Sequence, residues 1–201
     1  MQVTTKNYSF GKNLSYMAKA FYKPNMVIDL FLKETSPLHA IVPLILFTTL
    51  FEITYILDYI FKAPAFFHFL GNILKVPDNQ WNFYQIFLLP VVHIVDFFIY
   101  GGVIYTVSRL LRIRGIDIVK IILFFMFIWN TIGLLGFVTE NLAFHWKMGF
   151  LFYVQPIYVV IPLLYLMEFI HKQAGISRWM SFSFSMSGLI IFLGFRMVFL
   201  G

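Results

Sequence analysis

Long runs of apolar residues, separated by short polar stretches, dominate the chain from residue 38 onward. Five of these runs are long enough to form helices that cross the roughly 30 Å hydrocarbon core of a bilayer. They cover residues 38–61, 83–111, 116–138, 148–169 and 179–200. Because lipid offers no partners for backbone N–H and C=O groups, runs of this length predict helices. The pattern predicts an all-α, polytopic membrane bundle with five transmembrane helices.

The first 36 residues show an amphipathic pattern instead. Apolar residues recur there at helical spacing, and lysines lie on the opposite face at about 100° per residue. The apolar positions are Leu14, Met17, Ala18, Phe21 and Tyr22 before Pro24, and Met26, Val27, Leu30 and Phe31 after it. The lysines are Lys12, Lys19 and Lys23. We predict two short interfacial helices between Leu14 and Phe31, in a segment 1–36 that precedes a transmembrane domain 37–201.

The composition excludes several classes of protein. Of the 201 residues, 60% are apolar and only 12% charged, with a mean hydropathy of +0.82, whereas a soluble domain carries about 25% charged residues. The chain has no cysteine, which excludes a disulfide framework and a cysteine nucleophile. The sequence also has no phosphate loop, double-histidine zinc motif or serine elbow. We therefore expect neither an enzyme nor a bound cofactor or metal.

Basic residues are unevenly distributed between the two ends of the predicted helices. With five alternating spans, 11 of the 15 lysines and arginines fall on the side of the amino terminus and the remaining 4 on the other side. Because cytoplasmic loops carry an excess of Lys and Arg, this predicts a cytoplasmic amino terminus and an extracytoplasmic carboxyl terminus. The net charge of +6 is explained in the same way, so we do not expect a nucleic-acid partner.

Three arginines mark the short connection between the second and third runs. Arg109, Arg112 and Arg114 fall at the tip of a predicted helical hairpin. Together with the three lysines of the amino-terminal segment, they are candidate contacts for anionic lipid at the cytoplasmic face. Charges of this kind also set topology without binding a particular lipid, and the sequence is compatible with both interpretations.

Ionisable residues inside the apolar runs are the candidate functional residues, because each costs about 2.5 to 3.5 kcal/mol on insertion scales. They include Glu52, His93, Asp96 and Arg196. His93 and Asp96 are three residues apart and share a helix face, which Gln85 and Tyr100 extend. Glu52 lies at a similar depth on the preceding run, and consecutive helices usually pack together. We therefore predict that Glu52 approaches His93 and Asp96.

Three interpretations of these residues stay open. In the first, they satisfy one another inside the bundle and fix the orientation of the helices. In the second, they form a proton or ion path, since Glu, His and Asp are the usual relay groups. In the third, they bind a divalent cation. Arg196 either pairs with an acid such as Glu52 or Glu140, or extends to the outer surface.

Three longer stretches of sequence share a pattern with a known family. They are PNMVIDLFLKETSPLHAIVPLILFTTLFEITYIL at 24–57, IYGGVIYTVSRLLRIRGIDIVKIILFF at 99–125 and IPLLYLMEFIHKQAGISRWMSFSFSMSGLI at 161–190. The first reads as an interfacial segment and a first span, and the second as a helix, a basic tip and a returning helix. The third reads as two spans joined by a polar turn. This order resembles the Yip family of Ypt/Rab-interacting, five-span membrane proteins.

The resemblance implies a non-enzymatic scaffold or interaction partner in trafficking or membrane organisation, with no catalytic residue. The Asp-Leu-Tyr-Gly-Pro motif of the eukaryotic members is absent from this sequence, so the resemblance is to the prokaryotic branch. It implies a prokaryotic cell membrane, with the ER or Golgi membrane as the alternative. The implied partners are anionic lipids, other membrane proteins or a second copy of the chain. The alternative function is a small transporter or channel that uses the intramembrane Glu, His and Asp residues.

Overall fold

The computed structural model describes residues 10–34, 36–63, 69–145 and 147–199. All regular structure in these ranges is helical. The α-helices are α1 Phe10–Tyr22, α2 Pro24–Lys33, α3 Pro37–Ile60, α4 Phe69–Leu74, α5 Asp78–Leu110, α6 Ile118–His145, α7 Ile157–Ala174 and α8 Arg178–Phe199. Four of them, α3, α5, α6 and α8, are long and apolar enough to cross a membrane. The prediction of an all-α membrane bundle is confirmed at this level.

Proline and glycine residues set several of the helix ends. Pro24 and Pro37 occupy the first turns of α2 and α3, where a missing N–H costs nothing. Gly175 ends α7 in the left-handed conformation, with φ at 66°, and its N–H donates to the His171 carbonyl. The predicted break between two short amino-terminal helices at Pro24 is therefore observed. Residues 1–9 of the predicted segment and Leu200 lie outside the described residues.

The fourth apolar run differs from the prediction of a single helix over 148–169. A 3-10 helix occupies Gly149–Val154, and α7 begins only at Ile157, after Pro156. Because proline favours the start of a helix, Pro156 is a natural boundary at that point. At its other end α7 continues past the apolar run, through Lys172, to Ala174. The predicted bounds of this helix were therefore wrong at both ends. Apolar character shows which residues contact lipid or the core, but a helix can continue into polar sequence.

Five helices form a closed ring. In this ring α3 contacts α5, α5 contacts α8, α8 contacts α7, α7 contacts α6, and α6 contacts α3. Helices α5 and α6 also touch each other. The interior is rich in phenylalanine, including the parallel stacked rings of Phe124 and Phe169, whose centroids are 4.3 Å apart. The outward faces are apolar as well, as expected for helices that contact lipid.

The amino-terminal helices are docked on this ring. Phe31 is only 2% exposed, and its ring lies 5.4 Å from Phe124 and 5.0 Å from Phe127 of α6. Met17 is also buried, and His39 Nδ1 lies 2.6 Å from Asn13 Oδ1. Sequence periodicity placed Met17 and Phe31 on a lipid-facing stripe. That assignment was wrong, because the bundle itself provides the apolar surface that covers them.

The carboxyl end of α2 and the α5–α6 and α7–α8 turns lie together at one end of the ring. Lys120 Nζ donates to the Leu32 carbonyl at 2.6 Å, and Lys172 Nζ lies 3.1 Å from Asp29 Oδ1. The Asp117 N–H donates to the side chain of Gln173 at 3.1 Å. Segments that are far apart in sequence therefore meet at this end of the ring, and many of the basic residues lie there.

Candidate functional site

One face of α5 carries a column of buried polar side chains. Gln85, His93, Asp96 and Tyr100 are all 0% exposed, and their spacing follows the helical repeat. Gln85 Nε2 donates to the Phe199 carbonyl at 3.1 Å, which satisfies a backbone acceptor at the end of α8. The shared face predicted from sequence is therefore present and turned inward.

Arg196 of α8 links this column to the opposite helix. Its Nη1 donates to His93 Nε2 at 3.1 Å and lies 3.5 Å from Asp96 Oδ2. Since His93 Nε2 accepts this hydrogen bond, the imidazole is neutral and carries its proton on Nδ1. The Arg196 side chain is 15% exposed, so it points into the bundle and does not extend to the outer surface. His93, Asp96 and Arg196 form what we call the sealed cluster.

Glu52 does not join the sealed cluster. It is half-buried, and within the described part of the chain it makes no hydrogen bond or ion pair. The residue that α3 places beside His93 is Phe47, whose ring packs edge-on at a centroid distance of 5.0 Å. Helices α3 and α5 pack together as predicted, but α3 is rotated so that its aromatic residues, and not its acid, face the cluster.

A cavity of about 430 Å³ lies on the other side of Arg196, between α3, α6, α7 and α8. Its lining includes Arg196 and Glu140, with Gln155 and several aromatic residues. Glu140 forms no ion pair within the described residues, although it lies within electrostatic range of Arg196. Sequence reasoning named Glu140 only as one possible partner of Arg196 and did not predict the cavity.

The six basic residues predicted to contact lipid lie on the surface of the described chain. Five are exposed and Lys19 is half-buried. Lys12 and Lys19 extend over the Tyr16 ring, Lys23 lies over Tyr22 and Arg109 over Tyr105. These cation–π contacts hold the basic groups beside aromatic rings, as is common at a membrane interface. Arg112 and Arg114 belong to the exposed tip of the α5–α6 hairpin.

The remaining chemistry of the site is limited. Within the described ranges, no three His, Asp or Glu side chains come together as possible metal ligands, so the divalent-cation interpretation gains no support. In comparisons with known proteins, no family model, curated protein or solved structure matches this chain. The resemblance to the Yip family therefore stays a prediction from sequence.

Proposed function

We propose that the chain is a non-enzymatic, five-span membrane protein of the Yip type that serves as a scaffold or interaction partner for other membrane components. The observation that carries the proposal is the burial of His93 and Asp96, both 0% exposed and both engaged by Arg196. A relay needs groups that exchange protons with water. Groups that are buried and already paired instead join α5 to α8 and fix how the two helices pack.

Helix α7 is the fifth span in this proposal. Its 18 residues rise roughly 27 Å at 1.5 Å per residue, close to the thickness of the hydrocarbon core. Helix α7 also completes the ring between α6 and α8, and apolar side chains such as Val160 and Leu164 point outward from it. A helix that closes the ring and presents an apolar surface fits lipid better than water.

The end of the ring that gathers the basic residues faces the cytoplasm in this proposal. The positive-inside rule then gives a cytoplasmic amino terminus and an extracytoplasmic carboxyl terminus, in a prokaryotic cell membrane. The exposed apolar residues of α1, which include Phe10, Leu14 and Phe21, enter the interface while the neighbouring lysines contact anionic headgroups. The hairpin arginines Arg112 and Arg114 contact the same lipid surface.

Cysteine labelling tests the fifth span and the orientation, because the chain has no native cysteine. Tyr153 and Ser177 are exposed at opposite ends of α7. We expect an impermeant thiol reagent to label Tyr153→Cys in intact cells and Ser177→Cys only after lysis. Labelling of both positions from the same side would show that α7 does not span, and the reverse pattern would invert the proposed orientation.

A small transporter or channel is the second candidate, and the cavity that reaches Arg196 is the observation in its favour. Flux separates the two functions. We expect proteoliposomes that contain the wild-type protein to show only the background proton or cation flux of empty liposomes under an imposed gradient. Reproducible flux that Asp96→Asn abolishes, in a variant that still folds, would overturn the scaffold proposal.

Interaction is the positive test of a scaffold. We expect cross-linking in native membranes, from a photoreactive residue at Arg112, to give the same defined adduct in repeated preparations, whether with another membrane protein or with a second copy. The matched position is Tyr153, which is exposed at the other end of the ring. Identical adduct patterns from both positions would indicate random collision and contradict a specific partner at the basic end.

A further inference from the structure

The cavity beside the sealed cluster has the size and the lining of a ligand site. Its volume of about 430 Å³ lies in the range of roughly 300–1,000 Å³ typical of small-molecule pockets. Aromatic side chains from three helices contribute to its walls. They are Phe47, Phe51, Trp129, Phe137 and Tyr158. Two groups of opposite charge, Arg196 and Glu140, face the same space.

Both charged groups have unused capacity for a ligand. Arg196 uses Nη1 for His93 and Asp96, and no other hydrogen bond of its guanidinium is made within the described residues. A guanidinium carries five N–H donors, so several stay available for a ligand. Glu140 lines the cavity without a hydrogen bond or an ion pair to any described residue. The carboxylate therefore also remains available.

The pattern of charge selects the class of ligand. A guanidinium binds phosphate oxygens through paired hydrogen bonds. An ammonium group is attracted both by a carboxylate and by the faces of aromatic rings. A simple anion would be repelled by Glu140, and a simple cation by Arg196. A ligand that carries both charges avoids both repulsions.

The position of the cavity favours headgroup chemistry. Glu140 and Arg196 lie near the carboxyl ends of α6 and α8, and Pro156 lies at the start of α7. All three helix ends meet at the end of the bundle opposite the basic turns. For helices that span a bilayer, Glu140 and Pro156 lie toward the headgroups, and the cavity extends from that level to Phe47 and Trp129 near the middle of α3 and α6.

We propose that this cavity binds a zwitterionic phosphoester that carries an ammonium group, with the phosphate on Arg196 and the ammonium between Glu140 and the aromatic walls. The same chemistry occurs in the headgroup of an ethanolamine phospholipid and in free phosphoethanolamine. The site shares Arg196 with the sealed cluster, but the variants that test it, at Glu140 and Val159, lie outside that cluster and outside the basic end. Either proposal can fail without the other.

Lipid retention and soluble binding provide the test. The full-length protein is reconstituted in phosphatidylglycerol vesicles containing a minor fraction of phosphatidylethanolamine, and the lipid that it retains is identified by native mass spectrometry. In parallel, binding of free phosphoethanolamine to delipidated protein is measured in detergent.

We expect Glu140→Gln to weaken retention or binding about tenfold, as for the loss of one charged contact. Val159→Phe, which places a larger side chain into the cavity lining, should abolish it.

Two control variants test whether the loss of binding is specific to the cavity. Glu52→Gln makes the same change at an unpaired acid that does not line the cavity, and Val160→Phe makes the same change on the outward face of α7. Both should bind like the wild type. If the protein retains ethanolamine lipid, and the cavity variants lose it while their controls keep it, the ligand is the lipid. If only free phosphoethanolamine binds in this way, the ligand is a soluble molecule. The proposal is overturned if neither probe binds, or if the cavity variants behave like their controls.

Discussion

Arg196 separates two environments that differ in how their charges are balanced. On one side, His93 and Asp96 are fully buried and paired, and neither has water access. On the other side, Glu140 shares a cavity with Arg196 but forms no ion pair within the described residues. A buried charge without a partner is costly, so the paired side acts as part of the core. The unpaired side is where binding of a further group would bring a gain.

Removing Arg196 should have the largest effect on the sealed side. Arg196→Leu leaves the buried Asp96 without a counter-charge, and breaking a buried pair in this way costs about 3–5 kcal/mol. We expect a loss of that size in the free energy of unfolding, measured by denaturant titration in mixed micelles. The double variant Arg196→Leu/Asp96→Leu should recover most of it, because no uncompensated charge then remains buried.

The control for this variant is Arg178→Leu. Arg178 Nε lies 3.0 Å from Glu168 Oε2, but the arginine side chain is 65% exposed. Exposed ion pairs contribute about 0–1 kcal/mol. If both arginine variants lowered the free energy of unfolding equally, the buried sealed cluster would contribute no more than a surface ion pair. That result would contradict the difference proposed between the two sides of Arg196.

Close packing of α8 on α5 at Gly188 should have the next largest effect on the free energy of unfolding. A Cβ at Gly188 would lie 2.6 Å from Cε2 of the buried Tyr100 ring, whereas a Cβ at Gly194 would meet nothing within 4 Å. We expect Gly188→Ala to lower the free energy of unfolding by about 1–3 kcal/mol through overpacking. Gly194→Ala on the same helix should cause no loss. Equal stability of the two variants would contradict tight packing at this crossing.

The contact of Gln85 with the end of α8 should have a smaller effect. Gln85→Leu removes the donor to the Phe199 carbonyl, and a hydrogen bond of this type contributes about 0.5–1.5 kcal/mol. We expect a loss in that range from the same titration. Gln80→Leu, at an exposed position near the start of α5, should be close to neutral. A neutral result for Gln85→Leu would show that the α8 terminus is held by other contacts.

Sequence periodicity could predict one half of the site but not the other. The polar residues of α5 recur at helical spacing in an otherwise apolar helix, so their shared face could be predicted from that spacing alone. Helix α3 also carries polar residues, including Thr48, Glu52 and Tyr55, but their spacing does not reveal whether that side faces the interior of the bundle. The expectation that Glu52 approaches His93 followed from its similar depth and from the packing of consecutive helices, whereas packing of Phe47 against His93 decided the rotation of α3.

Contacts between distant segments could not be derived from the sequence in this way. Arg196 meets His93 across 103 residues of chain, and periodicity within one helix gives no information on which other helix lies opposite. The cavity is harder still to predict, because its lining includes Gln155 and Pro156, which precede α7 where a helix was expected from the sequence.

The smallest effect on stability should come from Glu140→Gln, which tests the open side directly. Glutamine keeps the volume of the side chain and removes its charge, and the change breaks no hydrogen bond or ion pair with a described residue, only the longer-range attraction to Arg196. We expect a change within about 0.5 kcal/mol, as for substitutions away from a packed or paired site. Asp96→Asn makes the same chemical change on the sealed side and should cost several-fold more, because Arg196 loses its counter-charge inside the bundle. Equal costs for the two acids, in the same denaturant titration, would mean that Glu140 is as much a part of the core as Asp96.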